Sequence, residues 1–229
     1  MGQGGVRSRE DKMKTHLEQD LENIRAKIFE MADIAIETVI KAVDSLKKCD
    51  AKLAQKVIDD DSILDELENT INEMCIKLLV TRQPAAIDLR LLLAMLKINT
   101  DIERIGDLSV NIAREAKKFE GRTLFKNPVD ISRMASVAVE MIKASFNAIT
   151  EKNVDLAREV IDKDDEIDAL NISIYRELLS YMAENPKVIS DAISITMVSK
   201  ALERIGDHAT NIAERAIYYI EGVDIRHQE

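Results

Sequence analysis

Glu103-Arg104-Ile105-Gly106-Asp107 recurs as Glu203-Arg204-Ile205-Gly206-Asp207, and the likeness continues, with Asn111-Ile112-Ala113 answered by Asn211-Ile212-Ala213. In each copy Glu, Asp and Asn stand at i, i+4 and i+8. A helix turns about 100° per residue, so each step of four moves the face by only about 40°. Both copies therefore place two carboxylates and an amide in one row, on a helix, twice in one chain.

The repeat extends upstream. Met31-Ala32 matches Met134-Ala135, Leu53-Ala54 matches Leu156-Ala157, Val57-Ile58-Asp59 matches Val160-Ile161-Asp162, and Leu64-Asp65 matches Ile167-Asp168, each 103 positions on. For the Glu-Arg-Ile-Gly-Asp copies the offset is 100, so the second copy is three residues shorter ahead of that segment. A self-similar unit of this length points to a duplicated supersecondary structure.

Within one unit the periodicity is helical throughout. Leu21, Ile24, Ile28, Met31, Ala35, Thr38, Ala42 and Leu46 recur at spacings of three and four, which predicts one long amphipathic helix ending near Cys49-Asp50. A second helix carries Leu53, Val57, Leu64, Leu67, Ile71, Met74 and Leu78 and is stopped by Pro84. A third runs from about Ala86 to Glu120 and is closed by Gly121. Seven Gly and three Pro in 229 residues leave little turn material, which suits long elements. The expected fold is all-α, with two tandem three-helix bundles related by a pseudo-twofold axis. The expected organisation is a flexible tail at 1–16, the first bundle at 17–121, a linker at 122–128 with Asn127-Pro128, the second bundle at 129–221 and a tail at 222–229.

Folding each hairpin about its proline turn sets its acids level. About Pro84, the pair Asp61 and Asp65 lies opposite Glu103 and Asp107; about Pro186, Asp164 and Asp168 lie opposite Glu203 and Asp207. Glu37 and Glu140 fall at the same height on the first helix of each unit. One acidic i, i+4 pair is an ordinary solvated helix face. Two pairs level across a hairpin, kept in both repeats, carry a mutual repulsion that a cation relieves. The eight carboxylates Asp61, Asp65, Glu103, Asp107, Asp164, Asp168, Glu203 and Asp207 are therefore read as metal ligands. An all-oxygen set selects hard cations: Mg, Mn, Ca or ferric iron. Gly106 and Gly206 mark close helix approach or room beside the site, and Arg104 and Arg204 are expected to orient or partly neutralise the acids. His208 follows Asp207 but is answered by Leu108, so it reads as a core-edge histidine.

A net charge of −10 argues against broad nucleic-acid binding. No apolar run is long enough for a spanning helix. The opening Met1-Gly2-Gln3-Gly4-Gly5-Val6-Arg7 has no apolar signal core, and Val6 fails the myristoylation pattern. Cys49 and Cys75 have no Cys counterparts in the second unit and read as reduced residues of a cytoplasmic protein. Ferritin-type di-iron chemistry wants Glu-x-x-His, but the residues three after Glu103 and Glu203 are Gly106 and Gly206. A di-metal carboxylate enzyme, a metal-storage protein and a plain helical adaptor are the rival readings.

The duplicated E-R-I-G-D-x-x-x-N-I-A segment, the Val-Ile-Asp-x-Asp stretch leading the second helix of each unit and the six-helix plan resemble the PhoU family over residues 17 to 221. The resemblance implies multinuclear metal clusters, with iron foremost, on the paired E(D)-x-x-x-D motifs named above. It also implies a non-enzymatic cytoplasmic regulator of phosphate uptake, peripheral to the membrane at most, and allows a homodimer. Its implied partners are the high-affinity phosphate ABC transporter and the phosphate-sensing histidine kinase.

Overall fold

The computed structural model describes residues 4–124 and 129–222, with side chains from residue 16 to 124 and from 130 to 222. Helix α1 runs Gly4–Lys48, α2 Ala51–Asp59, α3 Asp61–Arg82 and α4 Ala86–Lys117. The second unit repeats the order: α5 Val129–Glu151, α6 Val154–Asp162, α7 Asp164–Glu184, a 3₁₀ turn at Pro186–Val188, and α8 Ile189–Glu221. The two-bundle all-α plan is as the periodicity requires. Helix α1 begins at Gly4 and so takes in the backbone of most of the stretch read as an amino-terminal tail. Positions 125–128 of the expected linker and 223–229 of the expected tail lie outside the described residues.

One difference matters for the site. The second helix of each unit is two helices, broken at Asp60 and at Lys163. The breaks fall in Asp59-Asp60-Asp61 and Asp162-Lys163-Asp164-Asp165, where residues that compete with helical hydrogen bonding cluster. Apolar spacing runs on through both breaks, which is why periodicity alone reads a single helix. The result puts Asp61 and Asp164 in the first turn of a new helix.

Helix ends follow local chemistry. Asp50 caps α2 by accepting from the Lys52 and Leu53 amides, each at 3.0 Å, after Cys49 turns the chain at φ +49°. Asn153 caps α6 in the same way through Leu156 N at 3.1 Å, after Lys152 at φ +52°. Gly121, beyond the end of α4, takes the expected left-handed conformation at φ +67°.

The long helices α1, α4, α8 and α5 form a closed ring around one continuous core, with α2/α3 packed outside α1 and α4 and α6/α7 packed outside α5 and α8. The α1 stripe is buried as its spacing predicts, except that Val39 takes the core position beside half-buried Thr38. Phe29 of α1 meets Phe146 of α5 edge-on, with centroids 5.2 Å apart, so the aromatic contact joins the two units.

Helices α4 and α8 run antiparallel and are tied at both ends. Arg122, just past α4, pairs with buried Asp191 in the first turn of α8 at 2.6 Å. At the other end Arg90, in the first turns of α4, lies against the carboxy-terminal cap of α8 at Gly222: a Cβ added there would stand 1.9 Å from Arg90 Nη1. Arg122 and Gly222 are repeat-related, and Arg90 lies one position from the counterpart of Asp191, so the pseudo-twofold runs through the α4–α8 seam. Within the seam His208 Nδ1 faces Asp101 Oδ1 at 2.9 Å, and Asn211 donates to the same oxygen at 3.4 Å. Arg122→Ala leaves Asp191 buried without its cation. The expected loss is about 1–3 kcal/mol of unfolding free energy by chemical denaturation, and Arg122→Lys should recover part of it.

Candidate metal centre

The acids are brought together by an apolar contact. Leu64 lies between Asp61 and Asp65 on α3 and packs onto Gly106 of α4. A Cβ on Gly106 would come within 2.4 Å of Leu64 Cδ1. In the second unit Ile167 packs onto Gly206, with Cγ2 at 3.0 Å from an added Cβ and Asp164 Oδ1 at 3.5 Å. Of the two readings of these glycines, close packing is the one observed. Their lack of a side chain lets α3 and α7 sit low on α4 and α8, and that seats the aspartates against Glu103/Asp107 and Glu203/Asp207.

The electrostatics record the crowding. Burial raises the pKa of Asp61, and the charges of Asp65 and Asp107 raise it further. Glu103 is pushed up to about 7, by burial first and then by Asp107, with Arg104 pulling the other way and Glu68 adding to the rise. Asp164 is pushed up to about 6, by burial and then by Asp207 and Asp168. Asp207 is raised by burial and then by Glu203, against the pull of Lys200. The acids level across each hairpin therefore sense one another, as the turn arithmetic predicts.

The two units differ in how the repulsion is met. Arg104 spans Glu103 at 3.3 Å and Asp107 at 2.9 Å, the orienting role expected of it. Arg204 is exposed and makes no ion pair among the described residues; Lys200, one turn earlier, pairs with Glu203 instead. The amides of the rows do not join the acids: Asn111 accepts from Arg114 at 3.1 Å, and Asn211 turns to Asp101. Glu37 and Glu140 point to Lys41 at 2.8 Å and Lys163 at 2.5 Å.

Among the described residues, no group of three or more His, Cys, Asp or Glu side chains stands arranged to hold a metal ion as it is. The second unit nevertheless has acceptors to spare. Asp164 Oδ1 and Glu203 Oε2 are buried without a hydrogen-bond partner, and the Thr210 hydroxyl stands close enough to Asp164 to pull its pKa down against the rise. Buried carboxylate oxygens with no donor are the groups a hard cation would satisfy, and the donors around them are all oxygen. In chemistry, then, the residues present fit a cation.

The PhoU domain profile matches residues 28–116 and again residues 131–216, one copy on each unit. The chain belongs to the PhoU family. It is 36% identical to a phosphate-specific transport system accessory protein PhoU homolog of Pseudomonas aeruginosa, over 95% of this chain and 92% of that protein. A homolog with the same description from Aquifex aeolicus is 37% identical over 92% of this chain and 95% of its own length. The crystal structure of PhoU from Pseudomonas aeruginosa superposes with a TM-score of 0.86 at 36% identity, covering 90% of this chain and 99% of that one. The phosphate transport system regulatory protein PhoU from Streptococcus pneumoniae shares the fold at a TM-score of 0.82 and 21% identity. The sequence resemblance to PhoU proteins thus extends to the backbone over 90% of this chain.

Glu103 and Asp164 bind their protons more tightly in the folded chain than in the unfolded one, where a carboxylate titrates near about 4. The folded state therefore holds more protons between those values, and stability falls as pH rises through them. The melting temperature of chelator-treated protein should drop between about pH 5 and pH 7.5, and Glu103→Gln with Asp164→Asn should flatten that slope. An unchanged slope in the double variant would show that these two acids do not set it.

Proposed function

We propose that this chain is a non-enzymatic accessory and regulatory protein of a phosphate transport system, acting from the cytoplasm, and that its paired acid motifs hold metal ions. The observation that carries the transport reading is the similarity, over nearly the whole chain and both repeats, to proteins described as phosphate-specific transport system accessory proteins. Among the described residues no helix is long and apolar enough to cross a membrane, so contact with a transporter would be peripheral. The partners in this reading are the phosphate ABC transporter and the phosphate-sensing histidine kinase.

The metal reading rests on the acid clusters themselves. Asp164, Asp168, Glu203 and Asp207 would hold one set of ions and Asp61, Asp65, Glu103 and Asp107 the other. Iron is the first choice, with Mn, Mg or Ca as alternatives. The bound ions would supply the countercharge that Arg104 and Lys200 give only in part. The side chains keep the acids level, exclude bulk from between the helices through Leu64 and Ile167, and leave Asp164 Oδ1 and Glu203 Oε2 free to coordinate. Nothing in either cluster provides a nucleophile with an adjoining base, which favours a regulatory rather than a catalytic role.

Two measurements test these readings separately. Expressed in a Pseudomonas aeruginosa strain lacking its own homolog, the chain should restore repression of a phosphate-starvation reporter in high phosphate; failure of a stably produced protein to do so counts against the transport role. Purified protein supplied with iron or manganese should retain several ions by mass spectrometry. Glu103→Ala/Asp107→Ala/Glu203→Ala/Asp207→Ala, with unchanged helical circular dichroism, should retain none. A native protein that stays empty removes the metal reading and leaves an acidic docking face.

A further inference from the structure

The two acid clusters are not equivalent, and the differences lie in the residues around the carboxylates. In the first unit a half-exposed Arg104 reaches both acids of its row, Glu103 at 3.3 Å and Asp107 at 2.9 Å. Among the described residues, no carboxylate oxygen of that cluster is buried without a partner. In the second unit Lys200 engages one acid only, Glu203, through Oε1. Glu203 is 9% exposed, and its Oε2 has no donor. Asp164 Oδ1, against Gly206, is buried without a donor as well.

The second unit also holds an oxygen that the first lacks. Thr210 stands one turn beyond Asp207, four positions after Gly206 and seven after Glu203, so it shares their helix face. Its hydroxyl is buried and close enough to Asp164 to lower that aspartate's proton affinity. At the repeat-related position the first unit has Val110, which is 1% exposed and offers no oxygen. A hydroxyl oxygen joins carboxylates readily around a hard cation.

We infer, on the metal reading proposed above, that the two centres fill in order. The second unit, with Thr210 as an added oxygen ligand, takes its ions first and keeps them. The first unit, whose acids Arg104 occupies, takes up ions only as their concentration rises, and so carries the metal-responsive role. A cation entering the second cluster meets oxygens that have lost water and gained no donor, so binding relieves a cost already present. A cation entering the first cluster displaces a guanidinium from two carboxylates. Arg104 gives up two ion pairs where Lys200 gives up one, and the affinities should differ by about tenfold.

The test is a titration of the metal-stripped full chain with Mn²⁺, and with Fe²⁺ under argon, read by calorimetry and native mass spectrometry. Two stages of uptake are expected. Glu203→Ala/Asp207→Ala should remove the tighter stage and Glu103→Ala/Asp107→Ala the weaker. Arg104→Gln should tighten the weaker stage by about three- to thirtyfold. Thr210→Val, which installs the first unit's chemistry, should weaken the tighter stage, and Thr210→Ser should restore it. A single stage for all ions, or a tighter stage that is lost with the first unit's acids, overturns the order while the metal reading stands. So does a weaker stage unmoved by Arg104→Gln, or a tighter stage unmoved by Thr210→Val. A chain that binds neither ion overturns the metal reading and the order together. Where a double variant loses its helical circular dichroism, Glu203→Gln and Glu103→Gln, which keep the size of the side chain, decide the same point by the same stages.

Discussion

The seating of Leu64 on Gly106, and of Ile167 on Gly206, is the contact on which the rest of the site depends. It is apolar, yet it fixes the electrostatics. Each branched side chain occupies the space that a Cβ would fill, so the short helix behind it lies close against its long neighbour. The aspartates flanking that side chain are carried into the field of the facing Glu and Asp. A glycine inside a helix costs roughly 1 kcal/mol relative to alanine. Here that cost is met by packing, and the packing in turn imposes a like-charge cluster that the fold must tolerate or neutralise. Burial first, and the neighbouring carboxylates second, raise the proton affinities of Glu103 and Asp164.

Much of this was legible in the sequence because the chain states it twice. The helical period, the proline turns and the level pairing of the acids all follow from spacing, and each was checked by its counterpart in the second unit. The break at Asp60 and Lys163 was not legible, because hydrophobic spacing continues through it while the backbone hydrogen bonding does not. The fate of the amides was also hidden: Asn111 and Asn211 share a face with the acids, but Arg114 and Asp101 hold them elsewhere. Asp101 comes from the other unit in the case of Asn211, and no reading of one helix could supply it. The role of Lys200 was missed for a simpler reason. Lys200 has no counterpart in the first copy, where Thr100 stands, so the repeat does not point to it.

The departures from repetition are as informative as the repetition. Arg104 bridges two acids in one unit, while Lys200 engages one acid in the other and leaves an oxygen of Glu203 without a donor. Asp101 and His208 meet in the seam, where the symmetry-related residues are Ala201 and Leu108. The core and the helix junctions have kept the twofold plan, and the polar positions have drifted apart within it.

The antiparallel seam of α4 and α8 has one more consequence. Its buried residues, among them Ile102, Ile105, Ile205 and Ile212, belong to a core that runs without interruption from one unit to the other. The two halves share one interior, although each is a complete copy of the motif. Cutting the loop after α4 would not release two small proteins. It would yield two fragments held by their shared interior and by Arg90 and Arg122 at its ends, as a severed hinge stays closed when both leaves are glued. The connection between the units is thus a matter of synthesis and local concentration, and their union is a matter of packing.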